Sequence, residues 1–320
     1  MIRVGLIGRG LGGRVFHAPL IRAVPTMELV EIAGADGAAA LATSEAVDLV
    51  VISSPNRSHF PLAKAALEAG KHVVVDKPFT VSVAEADALI ALAAERERVL
   101  TVFHNRRWDG DFLTVLKMMP RLGEVSLFEA HWDRFRPALR EGWKEDPAEG
   151  AGLLIDLGPH MIDQALQLLG RPQGVSADVL AQRPGSRIED YFALTLHYGA
   201  MRAILSSSSL VAAPRARFAV HGSEGSFVMH GLDPQEEALK AGAHPREAGL
   251  APREGVLTRA DGSREAVAAE RGDYLAFYEG VAEAVLEGTA APVDPADVRD
   301  GLRIIEAARR SSAEGRTVLL

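Results

Sequence analysis

Cysteine is absent from this 320-residue chain. That absence removes disulfides, thiolate nucleophiles and thiolate metal sites together, and it fits a reducing compartment. Long apolar runs are also missing: nothing approaches the roughly 20 residues that would span a bilayer. Positive charge is in deficit, with 35 Lys and Arg against 43 Asp and Glu and a net charge of -8. That balance argues against a nucleic-acid or anionic-membrane partner. The first residues lack the basic-then-apolar pattern and cleavage site of a secretory leader. A cytoplasmic protein is therefore expected, with no membrane and no nucleic acid among its partners. Internal repeats and low-complexity tracts are lacking too. What is present is apolar residue in quantity, 48% of the chain, enough for two domains with full cores.

The most informative segment is Val4-Gly5-Leu6-Ile7-Gly8-Arg9-Gly10-Leu11-Gly12-Gly13, which from Gly8 reads G-x-G-x-x-G. It follows an apolar run (Ile2, Val4, Leu6, Ile7) and leads into a stretch that can be helical, the context that makes such glycines a dinucleotide cradle. Gly8 allows the tight turn, Gly10 lets backbone approach a pyrophosphate, and Gly13 lets helix pack on strand. Helix N-terminal amides then face the phosphates. The competing reading is a glycine-rich turn of some other α/β protein.

The first third of the chain alternates strand and helix signals, as a parallel sheet built from βαβ units requires. Strands are expected at 2–7, 29–33, 48–53, 72–76 and 99–103, with helices to about 24, at 61–69 and at 82–97. Ser82 and Glu85 have the spacing of a capping box. The segment 36–48 is short for a crossover helix with its loops, so a reduced connection is expected there. Character changes near 119–123. Strand patterns then succeed one another at 124–132, 175–182, 191–198, 201–210, 218–221 and 226–229, as in an antiparallel sheet. A hairpin signal, Asp261-Gly262, lies inside a polar stretch, 241–272, read as exposed and mobile. Helices are expected at 273–286 and 295–312. The architecture is therefore an α/β Rossmann domain with a doubly wound parallel sheet (1–121), then an α+β domain with a large, mostly antiparallel sheet (122–320), for substrate binding and oligomerisation. Apolar residues on both faces of 191–210 suggest that this sheet buries a second copy, as homodimer or homotetramer.

Three further places could carry chemistry. Ser53-Ser54-Pro55-Asn56-Arg57-Ser58-His59 lies at the carboxyl end of an expected parallel strand, where open α/β sheets bind ligands. Its plainer reading is a Pro-Asn turn with Ser58 capping a helix. Asp76-Lys77-Pro78 ends the next strand. A lysine there faces the cofactor cleft and can donate to a substrate oxygen; partial burial would lower its pKa. A surface lysine at a strand end is the alternative. Asp156-Leu157-Gly158-Pro159-His160-Met161-Ile162-Asp163 places Asp156 and His160 at i and i+4, one above the other if the turn is helical. A carboxylate beside an imidazole suits a general base. The alternative is an acidic helix N-terminus with an incidental histidine. A metal site built on Asp156, His160 and Asp163 would need further ligands that the sequence does not place, so none is expected.

Taken in order, G-x-G-x-x-G, Ser54-Pro55-Asn56 with His59, Asp76-Lys77-Pro78 and Asp156-x-Gly158-x-His160-x-x-Asp163 resemble the Gfo/Idh/MocA oxidoreductase family over nearly the whole chain. Phe103-His104-Asn105-Arg106-Arg107-Trp108-Asp109, Gly123-Glu124-Val125, Tyr191-Phe192, His221-Gly222-Ser223 and Arg303-Ile304-Ile305-Glu306 are similar to its scyllo-inositol dehydrogenase-like branch. The resemblance implies a nicotinamide-dependent dehydrogenase acting on a polyol or sugar. Lys77 matches the family's catalytic lysine, and Asp156 and His160 its acid/histidine pair. The family's usual Glu before the lysine is Asp76 here. The cofactor would be held by Gly8, Gly10, Leu11, Gly13, Asp36, Ser54, Pro55, Asn56, His59, Asp76, Lys77 and Asn105. The substrate would meet Lys77, Arg106, Trp108, Trp143, Asp156 and His160. By the family's pattern Gly34 holds the position of the ribose-binding acid, with Asp36 two residues later. The scarcity of nearby basic residues, apart from Arg9 and Arg14, favours NAD over NADP. A non-catalytic NAD(P)-binding sensor of the same fold is the rival expectation.

Overall fold

The computed structural model describes residues 1–139, 151–250 and 252–320. Two compact units emerge: Met1–Asp109 with Pro234–Leu250 and Gly272–Arg299, and Gly110–Asp233 with Ala251–Arg271 and Asp300–Leu320.

The first unit is built on a five-stranded parallel sheet: β1 (Ile2–Ile7), β2 (Met27–Ala33), β3 (Leu49–Ile52), β4 (His72–Val75) and β5 (Leu100–Val102). Strand order is β2-β1-β3-β4-β5, so the chain reverses its winding between β1 and β3. All four residues of β3 are buried, as unbroken apolar runs predict for a strand covered on both faces. Register aligns the carboxyl ends: Ile7 pairs with Ile52, Ile52 with Val75 and Val75 with Val102. The residues that follow, Gly8, Ser53, Asp76 and Phe103, therefore leave the sheet side by side.

A π-helical turn (Gly12–His17) runs into α1 (Ala18–Ala23), and the β2–β3 connection holds only α2 (Ala38–Ala42). The reduced connection has a packing reason. A Cβ on Gly5 would lie 2.8 Å from Leu41 Cδ1 and 3.1 Å from Val47 Cγ1, so the missing side chain on β1 makes room for the short helix. Helices α3 (His59–Glu68) and α4 (Val83–Glu95) follow. The Ser82 hydroxyl accepts from Glu85 N at 3.3 Å, while Glu85 Oε2 accepts from Val81 N at 3.2 Å. That reciprocal arrangement fixes the start of α4.

The second unit begins with α5 (Gly110–Met118), which the sequence reading passed over, and contains a nine-stranded sheet. Its strands are β6 (Val125–His131), β7 (Gly174–Leu180), β8 (Tyr191–Tyr198), β9 (Met201–Ser208), β10 (Phe218–Gly222), β11 (Gly225–Met229), β12 (Glu254–Arg259), β13 (Arg264–Ala268) and β14 (Val318–Leu319). The order is β13-β12-β11-β10-β6-β9-β8-β7-β14, antiparallel except where β6 meets β9. The long helix α6 (Leu153–Leu169) packs against β8 and β9, whose inner positions Phe192, Leu194, Leu196, Ala203 and Leu205 are fully buried.

The stretch read as exposed and mobile supplies ordered structure instead. Asp261 and Gly262 do turn a hairpin, but its arms β12 and β13 extend one edge of the sheet, and Leu257 is fully buried. Edge strands tolerate polar residues on their outer face, which is what made this stretch read as loop. Three more helices complete the chain: α7 (Gln235–Lys240), α8 (Leu275–Glu287) and α9 (Pro295–Glu314). Helix α8 belongs to the first unit, where Phe277 and Tyr278 pack their rings 5.0 and 5.9 Å from that of Phe103.

Leu6 lies at the centre of the parallel sheet with no exposed surface, whereas Val30 on β2 is 40% exposed. Leu6→Ala is expected to cost about 2–5 kcal/mol, mostly transfer and cavity terms. Val30→Ala is expected to stay within about 0.5 kcal/mol of wild type. Urea midpoints of the two variants check the contrast.

Candidate active site

In the first unit, the carboxyl ends of β1, β3 and β4 converge on a glycine cradle. Gly8 sits at φ +137°, and a Cβ there would lie 2.2 Å from the Ser53 carbonyl oxygen. One on Gly13 would lie 2.0 Å from the Gly8 carbonyl oxygen, so neither position admits a side chain. Gly10 is different: nothing lies within 4 Å of its Cβ position, which leaves its backbone open to a ligand. This pattern of closed and open glycines fits a dinucleotide pyrophosphate lying over the turn. Gly12, to which the sequence reading gave no part, belongs to the same packing. Its Cβ position is 2.5 Å from Ser53 Oγ and 3.0 Å from Asp76 Oδ2, so the helix approaches the strand ends only because this residue is glycine.

Asp76 is the hub of the cradle floor. Its Oδ1 accepts from Lys77 N at 2.8 Å, and its Oδ2 accepts from the Ser53 hydroxyl at 2.8 Å. His17 Nε2 lies 3.3 Å from the same Oδ2, and His17 Nδ1 lies 2.6 Å from the Tyr278 hydroxyl. One arrangement serves every partner: Nε2–H directed at the carboxylate and the tyrosine O–H donating to Nδ1. Burial alone would push the Asp76 carboxyl up. The His17 contact, with His17, Lys77 and His59 close by, outweighs it and holds the carboxyl well below the usual carboxylate range. Burial beside Asp76 pushes the Tyr278 hydroxyl far above its ordinary value.

The loop after β3 is fastened to the same place. His59 presents Nε2 to the Ser54 carbonyl at 2.9 Å and Nδ1 to the Pro78 carbonyl at 2.8 Å, bridging Ser54 to the segment that carries Lys77. The Ser54 and Ser58 hydroxyls meet at 2.6 Å, and Pro55 and Asn56 lead into a 3-10 turn, Asn56–Ser58. The Lys77–Pro78 peptide is cis. Leu11 is exposed beside the cradle, and Asp36 is exposed on the turn before α2.

Asn105, Arg106 and Trp108 fall on a 3-10 turn (Asn105–Trp108) after β5. Asn105 and Arg106 are buried. The Arg106 guanidinium hydrogen-bonds the Tyr274 hydroxyl and Glu236, with Asp109 at 3.4 Å; the Tyr274 hydroxyl in turn donates to Asp109 at 2.6 Å. Burial would lower the Arg106 pKa, but Asp109, Tyr274 and Glu236 raise it well above the ordinary arginine value. This cation fastens α7 and the start of α8 to the turn. Trp108 packs edge-on against Phe277 at 5.8 Å, and its carbonyl accepts from Asp273 N and Gln235 Nε2. Trp143 lies outside the described residues.

In the second unit, Asp156 and His160 stand one turn apart on α6, as the i, i+4 spacing predicts. His160 is buried, its ring 6.2 Å from that of Trp132. Asp156 is more exposed, and its Oδ2 accepts from Arg134 Nη1 at 3.1 Å, a partner that no local pattern signals. Pro159 lies inside the helix and leaves the Ile155 carbonyl without its usual intrahelical donor. Asp163 is buried on the same helix. Among the described residues, no group of three or more His, Asp or Glu is arranged to hold a metal ion.

A doubly wound sheet with this cradle at its switch point, joined in one chain to a large mixed sheet, defines an NAD-binding oxidoreductase architecture. Residues 2–104 match the NAD-binding Rossmann fold, and residues 120–320 the C-terminal alpha/beta domain, of the Gfo/Idh/MocA oxidoreductase family, to which the chain belongs. It is 46% identical to the uncharacterized oxidoreductase YdgJ of Escherichia coli, covering 100% of this chain and 99% of that protein. It is 38% identical to the scyllo-inositol 2-dehydrogenase (NADP(+)) IolW of Bacillus subtilis, over 100% and 96% of the two chains. The solved structure of yvaA from Bacillus subtilis superposes with a TM-score of 0.96 at 37% identity, covering 100% of this chain and 98% of that one.

Because the Asp76 carboxyl is held below its unfolded value of about 3.9, its contribution to stability is complete above that pH and is lost as pH falls through the folded value. Asp76→Asn is expected to lower stability near neutrality by about 2 kcal/mol, the scale of hydrogen bonds to a charged group. Urea denaturation at about pH 7 and pH 3 should show the gap to wild type narrowing at the lower pH. An equal gap at both would show that the Asp76 charge contributes nothing.

Proposed function

We propose that this protein is an NAD(P)-dependent dehydrogenase transferring hydride between a nicotinamide cofactor and a secondary alcohol of a cyclic polyol or sugar, with an inositol-like substrate. The observation that carries this reading is Lys77 at the carboxyl end of β4, its backbone N–H fixed by Asp76 beside the glycine cradle. The name of the full-length relative IolW supports the substrate class. Bound over the cradle, the nicotinamide supplies the hydride acceptor in one direction and the donor in the other. Gly8, Gly10, Leu11 and Gly13 would hold the pyrophosphate, and the loop from Ser54 through Pro55 and Asn56 to His59, with Asp76 and Asn105, the nicotinamide half.

His160 takes the hydroxyl proton as general base. Asp156, already neutralised in part by Arg134, orients His160 or accepts from a neighbouring hydroxyl. The Lys77 ammonium stabilises negative charge developing on the substrate oxygen through a preorganised hydrogen bond. Burial of the outer face of the large sheet against a second copy would make the protein a homodimer or homotetramer in the cytoplasm.

Absorbance of the reduced nicotinamide, followed with inositols and common sugars against NAD and NADP, tests the reading. Lys77→Ala is expected to lower kcat by roughly 100-fold or more, as loss of one preorganised donor does elsewhere, while cofactor Kd changes far less. His160→Ala should lower kcat by about 100- to 10,000-fold. Tight cofactor binding without turnover on any of these substrates would replace the dehydrogenase with a sensor of the same fold.

A further inference from the structure

The adenosine end of the cradle holds a residue for which the hydride chemistry has no use. Strand β2 ends at Ala33, and Gly34 brings no side chain to the place where a Rossmann strand ordinarily ends in its ribose-binding acid. Two other side chains border that place. A Cβ built on Gly34 would lie 3.3 Å from Arg9 Nη1 and 2.9 Å from Asp36 Oδ1. Arg9 is the residue between the first two glycines of the cradle, and its Nη2 donates to the Ile32 carbonyl at 3.3 Å. That bond uses one of the five guanidinium N–H groups and anchors the fork above the strand end. Its partner is a carbonyl and not a carboxylate, so the positive charge of this exposed side chain remains for a ligand. From Ile32 to Asn56 the sequence offers no other lysine or arginine.

We propose that Arg9 recognises the 2′-phosphate of the adenosine ribose and makes this chain select NADP over NAD, with Asp36 as the opposing charge that limits the selection. The proposal rests on the dinucleotide reading of the cradle. A planar guanidinium offers a phosphate two parallel charge-assisted hydrogen bonds, which a 2′-hydroxyl cannot match. A carboxylate in the same space repels the phosphate and accepts from the hydroxyl, so Asp36 pulls the other way. Placement decides between them. Arg9 is held over Gly34 by its hydrogen bond to the Ile32 carbonyl, whereas Asp36 is exposed on the turn before α2. Sequence alone favours NAD because basic residues are scarce near the strand end; the fold brings Arg9 over Gly34.

Equilibrium titration of NADP and of NAD into wild type, Arg9→Ala and Asp36→Asn at one fixed ionic strength tests this. Wild type is expected to bind NADP roughly tenfold or more tightly than NAD. Arg9→Ala should lower that ratio by roughly 10- to 100-fold, and Asp36→Asn should raise it. Added salt should erode the wild-type ratio, since the preference is electrostatic. A ratio unchanged in Arg9→Ala, or a wild type that prefers NAD, overturns the assignment while leaving the cradle standing. Binding of neither dinucleotide by wild type overturns the cradle itself, an outcome plainly distinct from the other two.

Discussion

The first unit depends on one partly buried carboxylate. Asp76 stands where β4 leaves the sheet, and taking its charge out of water is worth doing only if good partners replace the solvent. They come from four stretches of chain: Lys77 from the next peptide, Ser53 from the end of β3, His17 from the helix after the glycines, and Tyr278 behind His17 from α8. His17 and Tyr278 are 261 residues apart in sequence, yet a hydrogen bond joins them and sets His17 Nε2 3.3 Å from the carboxylate. The geometry of the lysine, the closeness of the helix to the sheet and the docking of α8 are thus consequences of one charge being satisfied.

The cradle follows from the same crowding. Parallel register brings Gly8, Ser53 and Asp76 to one level, so anything packed above them must approach backbone to backbone. Glycine at positions 8, 12 and 13 permits that approach, while position 10 stays clear. Helix N-terminal amides and an open peptide edge then face the space where a pyrophosphate fits. Gly5 plays the equivalent part on the far side of β1, where its missing side chain admits Leu41 of the short helix α2.

What could be read from the sequence was what local pattern encodes. The strand Tyr191–Tyr198, the Ser82 cap, the Asp261-Gly262 turn and the helical spacing of Asp156 and His160 all follow from residues within a few positions of one another. The places missed depend on partners far away in the chain. The Arg106 guanidinium meets Glu236 and Tyr274, 130 and 168 residues further along the chain. Arg134 carried no signal until the fold set it on Asp156. Strands β12 and β13 were lost because an edge hairpin needs only one apolar face, and polar residues on the other gave the composition of a loop.

Asp76 and Gly34 both stand where strands of the parallel sheet end, and each shapes the electrostatics of that edge. An aspartate at position 76 keeps the carboxylate close to the strand end, where one oxygen reaches Lys77 N and the other reaches Ser53 and lies near His17. One more methylene would carry those oxygens outward and break that pairing, so the shorter acid serves the floor of the cradle. At the other end, glycine at position 34 leaves the tip of β2 bare, and the charge found there comes from Arg9 in the cradle turn and Asp36 in the turn before α2. In both places the identity of one or two side chains, and not the path of the sheet, sets the charge at its carboxyl edge.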